Sequence, residues 1–279
     1  MAYKTILTIL DTPENARIAA DFAFALAASH DAHVIGLHAE IISSVPLVAP
    51  MEIPDPIAVQ ALQDMARQEA ATIEQQFRLR AAANAVSFEW RGFASSVGYA
   101  SAPMIEAARS ADLILAVQPD PATPSDAHVD VESFLLESGR PVLLVPYIFK
   151  QPKPIRRVLI AWNGSKEAAR ATFDAMPFLK AADAVEIFSV DPVESGEKAP
   201  LTGADIATTL ARHGVKVTLT TAESAAKPAS QVIENRLSDS SIDLLVMGAY
   251  THSRLWQAIF GGTTKTLLKS MTALTLLSR

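Results

Sequence analysis

The chain has 279 residues, of which 49% are hydrophobic, with a formal net charge of −6 and no cysteine. This length is about twice that of a common domain, so we expect two domains with large aliphatic cores. The lack of cysteine excludes disulfides, thiolate metal sites and cysteine nucleophiles. The net negative charge and the lack of a lysine and arginine cluster argue against nucleic acid or a membrane as the main partner. The apolar runs are strand-sized and no signal peptide precedes the first one, which predicts a cytoplasmic protein.

The first half alternates predicted strands with predicted helices. After the first strand, Thr12, Pro13 and Glu14 are typical of a helix start, as N-cap, first helical residue and acid of the first turn. The strands are continuously apolar, which favours a parallel sheet covered by helices on both faces. The predicted strands are 5–10, 34–37, 86–91, 113–117 and 142–145, and the predicted helices are 13–29, 57–83, 102–108 and 131–138.

The second half repeats this plan. Asp11-Thr12 after the first strand matches Asn163-Gly164, and Asp112 before the fourth strand matches Asp243. We therefore predict two copies of one unit, residues 1–148 and 155–279, joined by the proline-containing segment 151–154. The predicted strands of the second copy are 158–161, 185–190, 215–220, 244–247 and 274–277, and its predicted helices are 167–179, 204–212 and 229–237.

The most informative stretch lies near the C-terminus, over residues 242–271. A buried strand breaks at Gly248, and a Gly-Gly-Thr-Thr turn at residues 261–264 then begins a helix. Backbone amides at a glycine-rich turn and in the first turn of a helix attract anions, so this pattern indicates a phosphate site. The alternative interpretation is an ordinary tight turn before a threonine-capped helix.

The spacing Gly248-x2-Thr251-x9-Gly261-Gly262 resembles the nucleotide signature of the universal stress proteins, Gly-x2-Gly-x9-Gly-(Ser/Thr). The whole chain is similar to the tandem form of that family, most strongly after Arg156. The resemblance implies an α/β fold with two Rossmann-like domains of the adenine nucleotide alpha hydrolase type, each a five-stranded parallel sheet between helices. It also implies pairing of the last strands of the two domains, as a pseudo-dimer within the chain or as a homodimer.

The same resemblance implies that ATP, with Mg²⁺, binds to the second domain between the ends of its first and fourth strands. Two positions depart from the signature: Thr251 replaces a glycine, and Gly262 replaces Ser or Thr unless the loop is one residue longer. Thr251 is predicted to narrow the site, which would make ATP binding weak or absent. The alternative is that its hydroxyl group replaces the lost backbone amide as a donor to the ligand. The predicted nucleotide-binding residues are Asn163, Gly164, Ser165, Gly248, Thr251, His252, Arg254, Gly261, Gly262, Thr263 and Thr264.

Structural alternatives exist for several of these residues. Asn163-Gly164-Ser165 is also a good turn and helix cap, and His252 and Arg254 also suit a solvated loop. In the first half, residues 118–130 contain no glycine and several acids, so that half is predicted to bind no nucleoside triphosphate.

The resemblance implies a stress-response or regulatory protein that binds an adenine nucleotide and is not an enzyme, or at most a weak ATPase. No Ser-His-Asp order, paired carboxylates or Walker lysine is recognisable, and no catalytic or metal-binding residue is assigned. A nucleotide-free interaction or scaffold protein of the same fold is the main alternative. An adenylating hydrolase of the same superfamily is a third hypothesis.

Overall fold

A computed structural model describes residues 2–42, 55–96, 101–123, 130–191, 203–249, 268 and 270–279. Contacts divide the chain into two compact units. The first unit comprises residues 3–138 and 149–152, and the second comprises mainly residues 139–148 and 153–279. None of the helices in the described ranges is long and apolar enough to span a bilayer.

In the described ranges, the first unit contains four strands and four helices. The strands are β1 (Thr5–Ile9), β2 (His33–Ile42), β3 (Phe88–Ser96) and β4 (Leu113–Val117), and the helices are α1 (Pro13–His30), α2 (Pro56–Asn84), α3 (Ser101–Ala108) and α4 (Val131–Glu137). The strands form a parallel sheet with the order β3-β2-β1-β4. Helices α1 and α2 pack on each other, and α3 packs on α4. Because parallel crossovers are right-handed, the reversal of strand order after β3 places these two pairs on opposite faces.

The second unit contains six described strands and four described helices. The strands are β5 (Val142–Val145), β6 (Arg157–Ala161), β7 (Ala184–Val190), β8 (Val217–Ala222), β9 (Leu244–Gly248) and β10 (Leu274–Ser278), and the helices are α5 (Lys166–Asp174), α6 (Met176–Ala181), α7 (Ala204–Arg212) and α8 (Ala229–Asp239). The strands form one sheet with the order β5-β10-β9-β6-β7-β8. Neighbouring strands are parallel from β10 to β8.

Strand β5 comes from the first half of the chain but pairs antiparallel with β10, so that Leu143 lies opposite Leu276. The predicted α/β fold with mostly parallel strands is confirmed, and the described residues form five strands in each half. The five strands that the second half itself supplies, β6 to β10, are parallel, as predicted. The antiparallel pair of the second unit is the one that β5 makes with β10. The division at residues 148 and 155 therefore stays a prediction, while the contacts group β5 with the second half.

The main local difference from the sequence prediction lies at residues 167–179. In place of one helix, α5 ends at Asp174 and α6 begins at Met176. Pro177 causes the break, because it has no N–H to donate to the carbonyl four residues earlier and its ring would clash with that carbonyl. Strand β8 also begins at Val217, two residues later than predicted.

The repeat recognised in the sequence has a structural counterpart at two aspartates. Asp112 Oδ2 accepts hydrogen bonds from the backbone N–H groups of Lys4 (2.8 Å) and Thr5 (2.9 Å). Asp243 Oδ2 accepts the equivalent bonds from two consecutive amides, those of residues 156 and 157, both at 2.9 Å. In each half, a carboxylate just before the fourth strand therefore holds the start of the first strand.

Removal of either carboxylate should have a similar effect. We expect Asp112→Ala and Asp243→Ala each to lower the free energy of unfolding by about 1–3 kcal/mol, because two charge-assisted hydrogen bonds are lost. Urea unfolding measures both values. The exposed Asp64, whose only described partners lie on its own helix, is the control, and Asp64→Ala should change the free energy by less than about 0.5 kcal/mol. If one substitution left the free energy of unfolding unchanged and the other lowered it strongly, the two aspartates would not have equivalent roles.

Candidate functional site

The strand order of the second unit reverses beside β6. The chain runs from β6 outward to β7 and β8 and then returns to β9 on the other side of β6. Strands β6 and β9 are paired in parallel up to Ala161 and Met247, so their carboxyl ends lie side by side. In open α/β sheets, ligands bind outside the carboxyl ends of the strands at such a reversal. The candidate site therefore lies at the ends of β6 and β9.

Gly248, the last residue of β9, lies directly against the start of α5. A Cβ atom added to Gly248 would be 2.5 Å from the amide nitrogen of Ala168 and 2.5 Å from the carbonyl carbon of Glu167. Both neighbours are backbone atoms of the first turn of α5, so neither can move without moving the helix. Glycine is required here because only a residue without a side chain permits this close approach.

The segment that joins β6 to α5 is a helix cap. Asn163 Oδ1 accepts a hydrogen bond from the backbone N–H of Ser165 (3.1 Å), and Ser165 Oγ accepts one from the backbone N–H of Ala168 (3.1 Å). Gly164 between them has φ 71°, in the left-handed region that favours glycine. The capping role considered for these three residues is therefore observed, and a contact of Asn163 with ribose stays a prediction.

Glu167 is the residue of this site that the sequence reasoning missed. It is the second residue of α5, and only 3% of its surface is exposed. Its Oε1 atom lies 3.7 Å from Nζ of Lys166, whose side chain is 90% exposed. An acid in the first turn of a helix is expected from the helix dipole, and nothing in the sequence distinguishes a buried one from an exposed one. The structure thus places the backbone and Cβ atom of a buried glutamate against Gly248.

A second acid lies at the carboxyl end of β7, the strand next to β6. Asp191 Oδ1 accepts a hydrogen bond from the backbone N–H of Ser224 at 2.8 Å. Hydrogen bonds from the Ser224 side chain and backbone hold the pKa of Asp191 below its usual range. Asp191 is therefore ionised at neutral pH, and the acidic residues around the strand ends include Glu167 in α5 and Asp191 after β7.

The structure brings together four of the predicted site residues, Asn163, Gly164, Ser165 and Gly248, around the start of α5. The other predicted site residues lie outside the described residues, and their roles stay predictions. These are Thr251, His252, Arg254, Gly261, Gly262, Thr263 and Thr264. Among the described residues, no group of three or more His, Asp or Glu side chains is placed to hold a metal ion.

The equivalent position in the first unit is built differently. Asp11 Oδ1 accepts a hydrogen bond from the backbone N–H of Thr12 (2.7 Å), and Thr12 caps α1, as Ser165 caps α5. However, if Asp112 is aligned with Asp243, Gly248 corresponds to Val117, which is buried with 5% exposure. A valine fits at the end of β4 only if the neighbouring backbone leaves room for its side chain. The close approach of strand end and helix start seen at Gly248 is therefore a property of the second unit.

Comparisons with known proteins agree with this architecture. A universal stress protein from Archaeoglobus fulgidus superposes with a TM-score of 0.72 at 16% sequence identity, over 99% of this chain and 96% of that chain. The chain has the universal stress protein fold. A Pseudomonas aeruginosa protein of unknown function matches with a TM-score of 0.60 at 18% identity, over 99% and 92% of the two chains. No protein-family model and no curated protein matches the sequence.

The match to the universal stress protein fold extends over both halves of the chain. It therefore agrees with the tandem layout that the resemblance of the sequence implied. At this level of identity, the likeness establishes the arrangement of strands and helices, and the chemistry of the site has to be argued from the residues of this chain.

Proposed function

We propose that the second unit binds an adenine nucleotide at the ends of β6 and β9, and that the protein acts as a nucleotide-responsive regulator in a stress response and not as an enzyme. The observation that carries this proposal is the absence of space for any side chain at Gly248. Gly248 begins the glycine signature, and it lies at the point of the sheet where ligands bind in open α/β folds.

The start of α5 offers two donors to an anion. In the described part of the chain, the backbone N–H groups of Lys166 and Glu167 make no hydrogen bond, whereas that of Ala168 is bonded to the cap. Free amides at the positive end of a helix attract phosphate. Together with the glycine-rich turn that the sequence predicts at residues 261–264, they would hold the phosphates, and Asn163 would lie on the ribose side.

The acidic side chains near this site favour a nucleotide that is bound to a cation. Glu167 and Asp191 would repel phosphate, and Mg²⁺ bound to the nucleotide would neutralise part of the phosphate charge and weaken this repulsion. We therefore expect Mg-ATP to bind more tightly than ATP without a divalent cation. This preference would distinguish the site from a simple anion site at a helix start.

The experiment is a titration of the full chain with Mg-ATP, followed by calorimetry and by thermal unfolding. A ligand at 100 times its dissociation constant stabilises the folded state by about 2.7 kcal/mol. Gly261→Asp should abolish binding, because it places a carboxylate where phosphate is expected. The matched control Asp11→Ala, in the first unit, should leave binding unchanged. If Asp11→Ala abolished binding and Gly261→Asp did not, the nucleotide would bind in the other half.

Glu167→Gln is expected to strengthen ATP binding about five- to tenfold, because it removes one like charge near the phosphates and keeps the shape of the side chain. Binding of adenosine, which has no phosphate, should be the same in both forms and serves as the internal control. Calorimetric dissociation constants for the two ligands measure the difference. An equal increase in affinity for adenosine would mean that Glu167 acts on the base or ribose and not on phosphate.

A second candidate function is supported by the burial of Glu167. Glu167 is 3% exposed at the start of α5. In the alternative, its side chain fills the space that phosphate would need, and the protein is a nucleotide-free interaction module. Under this alternative, neither the native chain nor Glu167→Gln would be stabilised by Mg-ATP at any concentration. Thermal unfolding of the two forms with and without Mg-ATP separates the two functions.

A further inference from the structure

Strand β8 is the outer strand of the sheet in the second unit, and among the described residues only β7 pairs with it. Its sequence, Val-Thr-Leu-Thr-Thr-Ala, contains no charged residue, proline or glycine. Three of its six side chains are exposed, including Leu219 with 41% exposure. Such a strand has a high β-propensity and none of the features that normally prevent pairing with another strand.

The backbone groups on the open edge of β8 can be identified. The N–H of Val185 donates to the carbonyl of Lys216 (3.1 Å), and the N–H of Asp191 donates to that of Ala222 (2.9 Å). In a parallel ladder, alternate residues point their N–H and C=O groups toward the same neighbour, so the even-numbered residues of β8 face β7. The odd-numbered residues, with Leu219 at the centre, therefore direct their backbone N–H and C=O groups outward.

The outer strand of the first unit shows how an edge is normally protected. Strand β3 carries Glu89 and Arg91, which form an ion pair with each other, and His33 Nε2 on the next strand lies 4.0 Å from a Glu89 carboxylate oxygen. Charged side chains on an edge oppose the approach of a second strand. Strand β8 has no such charge along its length, so the two outer strands of the protein differ in the feature that controls edge pairing.

We propose that a second copy of this chain pairs with β8 in the antiparallel direction, around a two-fold axis at Leu219. Outward-facing residues must lie opposite each other in an antiparallel pair. Leu219 therefore lies opposite the partner subunit's Leu219, and Val217 lies opposite the partner subunit's Thr221. This register pairs the outward backbone groups of β8 and covers the exposed leucine in both copies.

The charges that flank β8 select a second copy in this direction. Exposed Lys216 precedes the strand and exposed Glu223 follows it. In an antiparallel pair around Leu219, Lys216 lies opposite the partner subunit's Ala222, and Glu223 lies opposite the partner subunit's Val215. The positively charged end of each strand therefore lies beside the negatively charged end of the other, and no like charges face each other. A parallel pair would place like charges together, which is unfavourable. A ladder of six residues is smaller than a standard stable interface, so the dimer should dissociate on dilution.

The test is sedimentation velocity of the full chain over a range of concentrations. The native chain should show a monomer–dimer equilibrium, and Leu219→Lys and Leu219→Glu should each be monomeric, because like charges would meet at the two-fold axis. An equimolar mixture of these two variants should again form dimers, because opposite charges then meet. The control is Leu79→Lys, at an exposed leucine of α2, which should dimerise like the native chain.

A native chain that is monomeric at every concentration would overturn the proposal. A Leu219→Lys variant that dimerises as strongly as the native chain would also overturn it. Recovery of dimers in the mixture cannot arise from misfolded variants, so it separates edge pairing from a general loss of structure. Circular dichroism of each variant gives an independent check that the fold is retained.

Discussion

Gly248→Ala is expected to lower the free energy of unfolding by about 1–3 kcal/mol, because the added methyl group overpacks a site where no side chain fits. Its Cβ would lie 2.5 Å from two backbone atoms of α5, in Glu167 and Ala168. Relief of that contact requires α5 to move away from β9. The variant should also lose any nucleotide binding at this site, because the start of the helix would no longer lie where the ligand needs it.

A matched control for this glycine is Gly92→Ala in β3. There the added Cβ would approach only a side-chain atom, Nε1 of Trp90, at 3.0 Å, so the ring can shift instead of the backbone. Chemical denaturation of both variants should show that Gly248→Ala lowers the free energy of unfolding clearly more than Gly92→Ala does. Equal decreases would mean that the start of α5 adjusts easily and that Gly248 is not required for packing.

Phe77→Ala is expected to lower the free energy of unfolding by about 3–5 kcal/mol, which is the usual range for a fully buried phenylalanine. The Phe77 side chain in α2 is 1% exposed. Its ring centroid lies 5.0 Å from that of Phe24 in α1, 5.7 Å from that of Phe88 and 5.8 Å from that of Trp90, both in β3. One ring therefore joins two helices and the edge of the sheet, and its removal leaves a cavity that none of them can fill alone.

The glycine beneath this ring allows a sharper test. A Cβ on Gly36 in β2 would lie 2.7 Å from Cζ of Phe77, so Gly36→Ala should destabilise the native chain. In the Phe77→Ala background, the same substitution should cost less, because the ring is absent and the methyl group enters the cavity. A double-mutant cycle measures this coupling. Leu79→Ala, at an exposed position of α2, is the neutral control, and purely additive effects at Gly36 and Phe77 would contradict the packing described.

Several features of the fold were predictable because they depend on short stretches of sequence. Buried parallel strands are continuous apolar runs, so β4 and β9 could be recognised from their own residues. The start of α1 could be recognised from Thr12 and Pro13, because a cap and a first-turn proline act within a few residues. The correspondence of Asp112 with Asp243 indicated the repeat, and both aspartates make the same pair of hydrogen bonds.

Other features were not indicated by the local pattern of residues. Strand β5 has the same apolar composition as a parallel strand, and its antiparallel pairing with β10 was implied by the family resemblance and not by its own residues. The break between α5 and α6 was open to prediction from Pro177, but the apolar pattern continues through it and favoured one helix.

At the candidate site, the local pattern was sufficient to select Gly248 and the Asn163-Gly164-Ser165 turn, because glycine and capping residues have distinct backbone preferences. It was not sufficient to show why Gly248 must be glycine or that Glu167 is buried. Gly248 and Glu167 are far apart in the sequence. The lack of space for a Cβ atom at Gly248, which would lie 2.5 Å from the backbone of α5, arises only when α5 packs on the end of β9. Burial and close approach are properties of two segments together, so only the tertiary structure could determine them.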